Sequence, residues 1–131
     1  MRLEIEIWFG DVDAFGHVNN VKYARFLETA RAKFFLERFG KLEPTFVIRR
    51  LEMDFLSPMF LGETAVVEMW VGNIGNTSWE FLYRITEKGS GREVVRARSV
   101  QVWVDLENNT KVPIPEDVRR VLEQERREFD A

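Results

Sequence analysis

The sequence contains no cysteine and a single histidine, His17. The first absence removes disulfides, thiolate nucleophiles and cysteine-based zinc sites, and the second removes any centre that needs two imidazoles. No metal and no cofactor is expected. Long apolar runs are also missing: none reaches the roughly 18 residues of a membrane-spanning helix, so no membrane partner is expected. Basic charge is not in excess either. A net charge of -3 argues against a broad nucleic-acid surface. The opening "MRLEIEIWFG" alternates apolar and charged residues where a signal peptide has a continuous apolar core. The chain therefore reads as a mature, cytoplasmic protein, and the triplets Asn76-Thr77-Ser78 and Asn108-Asn109-Thr110 carry little weight as glycosylation acceptors. Repeats, low-complexity tracts and linkers are absent too, so residues 1–131 are expected to form one domain.

What is present is a clear order of elements. Leu3, Ile5, Ile7 and Phe9 alternate with Arg2, Glu4, Glu6 and Trp8 and predict a first strand. From Val21 to Phe39, apolar residues fall at 23, 27, 30 and 34 and again at 24, 26, 35 and 39, a wide apolar face at helical spacing closed by Gly40. Strands follow at Phe46–Phe55, Glu63–Val71, Trp79–Ile85 and Val94–Val104, punctuated by Ser57-Pro58, "GNIGNTS" and "KGSGR". A surface helix is expected between Pro115 and Phe129. One greasy helix followed by antiparallel strands predicts an α+β layer, the sheet curling around the helix.

Between the first strand and the helix lies "GDVDAFGHVNN", Gly10 to Asn20. Asp11, Asp13 and Gly16 fit positions 1, 3 and 6 of a twelve-residue calcium loop, but that loop needs an oxygen ligand at position 5 and a carboxylate at position 12. Phe15 and Lys22 stand there instead. A serine triad lacks its strand-turn-helix setting around Ser57, Ser78, Ser90 or Ser99. A third reading uses the helix start. Asn19 or Asn20 is a natural N-cap, and the first-turn amides beyond it have no partner within the helix. Those amides and the helix dipole can hold a developing oxyanion, with Asp13 brought alongside by the Gly16 turn. Thioesters suit such sparse machinery, because a thiol of pKa ~8.5 leaves without a strong general acid. Asp, Gly and Asn also abound in ordinary connectors, so composition leaves a purely structural role open.

The stretch "DVDAFGHVNNVKYARFLETAR" resembles the opening motif of hotdog-fold thioesterases of the 4-hydroxybenzoyl-CoA thioesterase and acyl-CoA thioesterase superfamily. Asp11, Asp13, Gly16 and Tyr23 match its fixed positions, and the element order above is the hotdog order. The resemblance implies a five-stranded antiparallel sheet wrapped around one long central helix, plus a short C-terminal helix. It implies Asp13 as nucleophile or general base and the backbone amide of Asn20 as oxyanion donor. Phe15, Gly16, His17, Asn19 and Tyr23 are expected to contact substrate. "HVNNVKY" also resembles plant acyl-carrier-protein thioesterases, in which a histidine matching His17 acts; Phe15 replaces the asparagine that accompanies it, so His17 is expected to position the turn or substrate. Glu28, on the central helix, is expected to pair with Arg25 or Arg31 or to cap a buried polar spot.

The resemblance implies hydrolysis of an acyl-CoA or acyl-carrier thioester by a homodimer or homotetramer whose sites are completed across the subunit boundary. The strand Phe46–Phe55 and the "GNTSW" turn, with Thr77 and Ser78 as substrate contacts, are the candidates for that boundary. Phe26, Phe34, Phe55, Met59 and Phe60 are candidate acyl lining, each with core packing as its plainer reading. In the 4-hydroxybenzoyl-CoA enzymes a basic cluster in the turn between the third and fourth strands grips the nucleotide phosphates. Gly75-Asn76-Thr77 here carries no charge, leaving Arg49, Arg50, Lys88, Arg92, Arg96 and Arg98 as candidates. The alternative is a non-catalytic acyl-CoA-binding dimer with a regulatory role, against which the carboxylate of Asp13 weighs.

Overall fold

The computed structural model describes residues 1–40 and 45–127. Strand β1 (Arg2–Glu6) leads through a 3-10 turn (Phe9–Asp11) to helix α1 (Asn20–Phe39). Four strands follow, β2 (Phe46–Phe55), β3 (Thr64–Ile74), β4 (Ser78–Glu87) and β5 (Glu93–Asp105), then β6 (Thr110–Lys111) and helix α2 (Glu116–Gln124). The sheet runs β1-β3-β4-β5-β2 with every pairing antiparallel, and β6 joins β5. This is the hotdog architecture, with one more strand than the five expected. The sixth is two residues long and follows a turn in which Asn109 takes a positive φ of 54°.

Helix α1 begins and ends where its caps dictate. Asn19 Oδ1 accepts from Val21 N at 3.1 Å, and Gly40, at φ 73°, donates its N–H to Leu36 O. Its apolar face buries Tyr23, Phe26, Leu27, Ala30, Phe34 and Phe35. That face meets the alternating inner residues of the sheet: Ala65, Val67, Met69 and Val71 from β3, and Trp79, Phe81, Tyr83 and Ile85 from β4. Phe34 packs edge-on against Phe81 with centroids 5.3 Å apart, and Phe35 lies 5.2 Å from Phe46. Each such ring contributes roughly 1.5–3 kcal/mol by leaving water. Phe26, Phe34 and Met59 belong to this core and are not among the residues that line the cleft of the candidate site.

The first strand is shorter than its alternation predicts. It stops at Glu6, because the 3-10 turn bends the chain away: Asp11 Oδ2 accepts from Trp8 N at 2.9 Å. Phe9 is left 82% exposed instead of joining the inner face. The tail helix ends at Gln124, and Phe129 lies outside the described residues.

Strand β2 is the edge beside β5, and its register carries a bulge between Ile48 and Arg50. Ile48 and Leu51 are three residues apart yet pair with Gln101 and Ser99, two apart on β5. The bulge takes up the extra residue, Arg49, and so keeps the phase: Phe46, Ile48, Leu51, Met53 and Phe55 all oppose inner-face partners. Helix α1 meets this edge at its two ends, Phe35 on Phe46 and Tyr23 on Phe55, and covers it incompletely. Ile48, Leu51 and Phe55 stay 40–46% exposed although they face inward.

Candidate active site

The turn after the 3-10 segment is built by its own backbone and one carboxylate. Val12 pairs with Val18 across it, Asp13 N donates to His17 O at 2.8 Å, and Gly16 N donates to Asp13 O at 3.0 Å. Gly16 adopts φ 80°, a conformation that side chains with a Cβ resist. Asp13 Oδ1 accepts from Phe15 N at 2.9 Å and from His17 N at 3.2 Å. Its Oδ2 has no protein partner among the described residues. Asp11 braces the preceding bend through Trp8, and Asn19 N returns to Asp11 O at 3.0 Å. Both aspartates therefore face their own backbone, unlike ligands converging on a cation, and no group of three His, Asp or Glu side chains suited to a metal occurs among the described residues.

The helix start is spent unevenly. Val21 N is taken by the Asn19 side chain and Lys22 N by Asn19 O at 2.8 Å. The Asn20 amide, the first of the helix, has no protein acceptor among the described residues. Asp13, His17, Val18, Asn19, Asn20 and Tyr23 share one cleft of about 500 Å³. Its far wall is Phe55, Leu56, Ser57 and Pro58, from the end of β2 and the chain beyond it. Turn and wall are tied together: Val18 N donates to Met59 O at 2.9 Å, and the His17 ring stands edge-on to Phe60 at 4.9 Å.

Tyr23 is 2% exposed, its ring 5.9 Å from that of Phe55. Its hydroxyl is buried without a hydrogen-bond partner. Burial pushes the phenol above its usual pKa; the Met59 backbone, which does not reach hydrogen-bond geometry, opposes the shift in part. The phenol thus stays neutral and positions the cleft floor by packing.

Not every expected residue arrives here. Phe15 is 85% exposed and is not among the residues that line the cleft. Thr77 and Ser78 sit at the other end of the sheet, where Ser78 pairs with Val102; the cleft end is where Phe55 pairs with Val95. At about 3.3 Å per residue that separation is roughly 23 Å within one chain. Glu28 is exposed and makes no ion pair among the described residues; Arg31 instead donates to Tyr83 Oη at 3.0 Å. Burial pushes the Tyr83 phenol up too, opposed by the Arg31 charge and by the Ser99 hydroxyl at 2.5 Å.

The candidate phosphate ligands are mostly committed. Arg50 pairs with Glu52, Lys88 with Glu4, Arg92 with Glu63, Arg96 with Glu93, and Arg98 with both Glu52 and Glu80. The turn Gly75-Asn76-Thr77 has no charge of its own, yet Arg119 of α2 donates to Gly75 O at 2.8 Å and Asn76 O at 3.1 Å. Sequence reasoning missed Leu56, Ser57 and Pro58 as cleft residues. Ser57-Pro58 signalled only a strand end, because the turn it faces is about forty positions away in the chain.

The chain matches the model of the thioesterase-like superfamily over residues 7–122. It is 27% identical over 137 aligned residues to a chloroplastic acyl-acyl carrier protein thioesterase of Arabidopsis thaliana, covering 99% of this chain and 71% of that one. It is 25% identical over 130 residues to the long-chain acyl-CoA thioesterase FadM of Escherichia coli, covering 95% and 98% of the two chains. A crystal structure of a thioesterase from Thermus thermophilus, complexed with coenzyme A and Zn, superposes with a TM-score of 0.84 at 30% identity, covering 94% of this chain and 92% of that one.

Proposed function

Because this chain belongs to the thioesterase-like superfamily, we propose that it hydrolyses acyl-CoA or acyl-carrier thioesters in the cleft between the Asp13 turn and the start of α1. One observation carries the assignment of residues: a carboxylate with one uncommitted oxygen and a helix-start amide with no acceptor line the same cleft. The thioester carbonyl oxygen sits at the Asn20 N–H, where the unsatisfied donor and the helix dipole stabilise the negative charge that develops on attack. Asp13 Oδ2 acts on the carbonyl carbon from beside it. As general base it takes a proton from water, which adds to the carbon; the tetrahedral oxyanion then collapses and expels the thiolate. As nucleophile it forms a mixed anhydride that water cleaves. Either route ends in a carboxylic acid and a free thiol. His17, its ring against Phe60, forms one side of the entrance.

A second copy of the chain completes the site in this reading. Among the described residues strand β2 pairs with β5 alone and leaves its inward Ile48, Leu51 and Phe55 partly uncovered, an edge that invites pairing. An antiparallel partner strand there would reverse the sheet direction across the boundary. It would carry the partner's Thr77 and Ser78 toward the end of this chain that holds Asp13. That arrangement gives Thr77 and Ser78 the substrate role that a single chain denies them.

The test is thiol release from a panel of acyl-CoA and acyl-carrier substrates, wild type against Asp13→Asn. The variant is expected to lose at least ~10² in kcat, about 2.7 kcal/mol of transition-state stabilisation. A nearly active Asp13→Asn enzyme would sink the assignment. Asp11→Asn, whose carboxylate only braces the bend, is expected to lose far less.

A further inference from the structure

We propose that Arg92 is a positioning residue for hydrolysis: its guanidinium fork, closed on Glu63, holds the Ser57-Pro58 wall against the Asp13 turn and so sets the width of the slot in which the thioester is attacked. The proposal rests on the cleft reading above.

Arg92 opens the last long antiparallel pair, just past the "KGSG" hairpin, and its side chain runs back under the cleft. Nε donates to Ser57 Oγ at 3.3 Å, and Nη2 donates to Pro58 O at 2.9 Å and to Glu63 Oε1 at 3.2 Å. Ser57 Oγ in turn donates to Glu93 O at 2.7 Å. Glu63 answers from the other end of the same loop: its Oε1 accepts Phe60 N at 2.8 Å, and its backbone carbonyl accepts Ile7 N at 2.9 Å. One arginine therefore gathers three residues of the 57–63 loop, two of which, Ser57 and Pro58, line the cleft.

The chain of bonds then crosses to the reacting side. Met59, fully buried, follows Pro58 directly, and its carbonyl holds Val18 N at 2.9 Å. Val18 sits two residues before the Asn20 amide and is bridged to Val12, next to Asp13. Two hydrogen bonds and a few peptide units separate Arg92 from the Asn20 amide, and a third, Asp13 N to His17 O, leads on to Asp13. A lysine would keep the charge but offers no planar fork to serve Ser57, Pro58 and Glu63 together. Misplacement of a wall by a fraction of an ångström is enough to cost rate, since ~1 Å can cost ~10²-fold.

The experiment measures kcat and KM separately on one acyl-CoA that the wild type hydrolyses, with thermal unfolding, for Arg92→Lys, Arg92→Ala, Glu63→Gln and Asp13→Asn. Arg92→Lys is expected to fold with a near-native Tm, lose about tenfold in kcat and keep KM within about twofold. Arg92→Ala should lose more, and Glu63→Gln should resemble Arg92→Lys. Full kcat in Arg92→Lys and Arg92→Ala overturns the proposal, as does a loss that tracks the unfolded fraction or appears only in KM. An Arg92→Lys chain that fails to fold overturns it as well, by making the residue purely structural. If Asp13→Asn is inactive while the Arg92 variants are normal, the positioning role alone fails; if Asp13→Asn is active, the cleft reading itself fails.

Discussion

Replacing Asn20 by proline removes the proposed oxyanion donor and almost nothing else. Asn20 is the first helical residue, the position where proline is best tolerated, because an N–H there has no intrahelical acceptor. The residue before a proline must be extended, and Asn19 already is, at φ -64° and ψ 133°. The cap survives, since Asn19 Oδ1 bonds to Val21 N and Asn19 O to Lys22 N. The Asn20 side chain is exposed, so its loss costs little packing. Stability should therefore change by less than about 1 kcal/mol. Catalysis should not be spared. Losing one oxyanion donor costs roughly 2.7–4 kcal/mol, or ~10² to 10³ in kcat, and the ring's Cδ would also crowd the carbonyl oxygen. The assay is steady-state thiol release at saturating substrate, with Tm by calorimetry and Asn20→Ala, which keeps the amide, as control. An Asn20→Pro enzyme within threefold of Asn20→Ala, folded and with normal KM, would refute the assignment of the donor.

Two further expectations concern assembly and the carrier. Leu51→Lys, which sets a charge on the uncovered inner face of β2, should give a monomer by light scattering and lose activity with it; a fully active monomeric wild type would remove the second copy from the site. With Arg50, Lys88, Arg92, Arg96, Arg98 and Arg119 all engaged internally, acyl-CoA and the matching acyl-pantetheine should differ by less than ~10-fold in kcat/KM, about 1.4 kcal/mol. A hundredfold preference for CoA that collapses in salt would show that one of these basic side chains grips the phosphates. The last expectation is acid sensitivity. Gly89 N–H, the Ser90 hydroxyl and Ser90 N–H hold the Glu87 carboxyl below its usual 4.5. A lowered folded pKa contributes stability above the unfolded value and loses it as pH falls through the folded one. Glu87→Gln should accordingly flatten the decline of Tm below about pH 4.5, and an unchanged slope would count against these bonds.

Most of the fold was legible because its signals are local and repeated. Alternation across Trp79–Ile85 and the Asn19 and Gly40 caps around the helix need no distant information to be read. The limits of β1 and the presence of β6 were not legible, since each is decided by a turn, Asp11 on Trp8 in one case and Asn109 in the other. The near side of the site was readable because Asp13, His17, Asn19, Asn20 and Tyr23 lie within eleven residues. Its far wall was not. Ser57, Pro58 and Arg92 meet the turn only through pairings of strands distant in sequence, and no local pattern encodes those. Glu28 misled for a related reason: helical spacing permits a pair with Arg31, but Tyr83 outcompetes it from β4.

The bulge at Arg49 has a further consequence. Its side chain points at nothing that the described residues hold, so an exchange for almost any other residue would be absorbed by solvent. Its backbone is spare as well, because the bulge takes up a residue that the register does not use. Deleting Arg49 would let Ile48, Arg50 and Leu51 follow one another opposite Gln101, Val100 and Ser99, so Phe46, Ile48, Leu51, Met53 and Phe55 would all keep facing inward. Phe46 would keep its neighbours Phe35 and Trp79, whose ring centroids lie 5.2 Å and 5.5 Å from its own. At this position the strand tolerates a change of spelling and the loss of a letter alike.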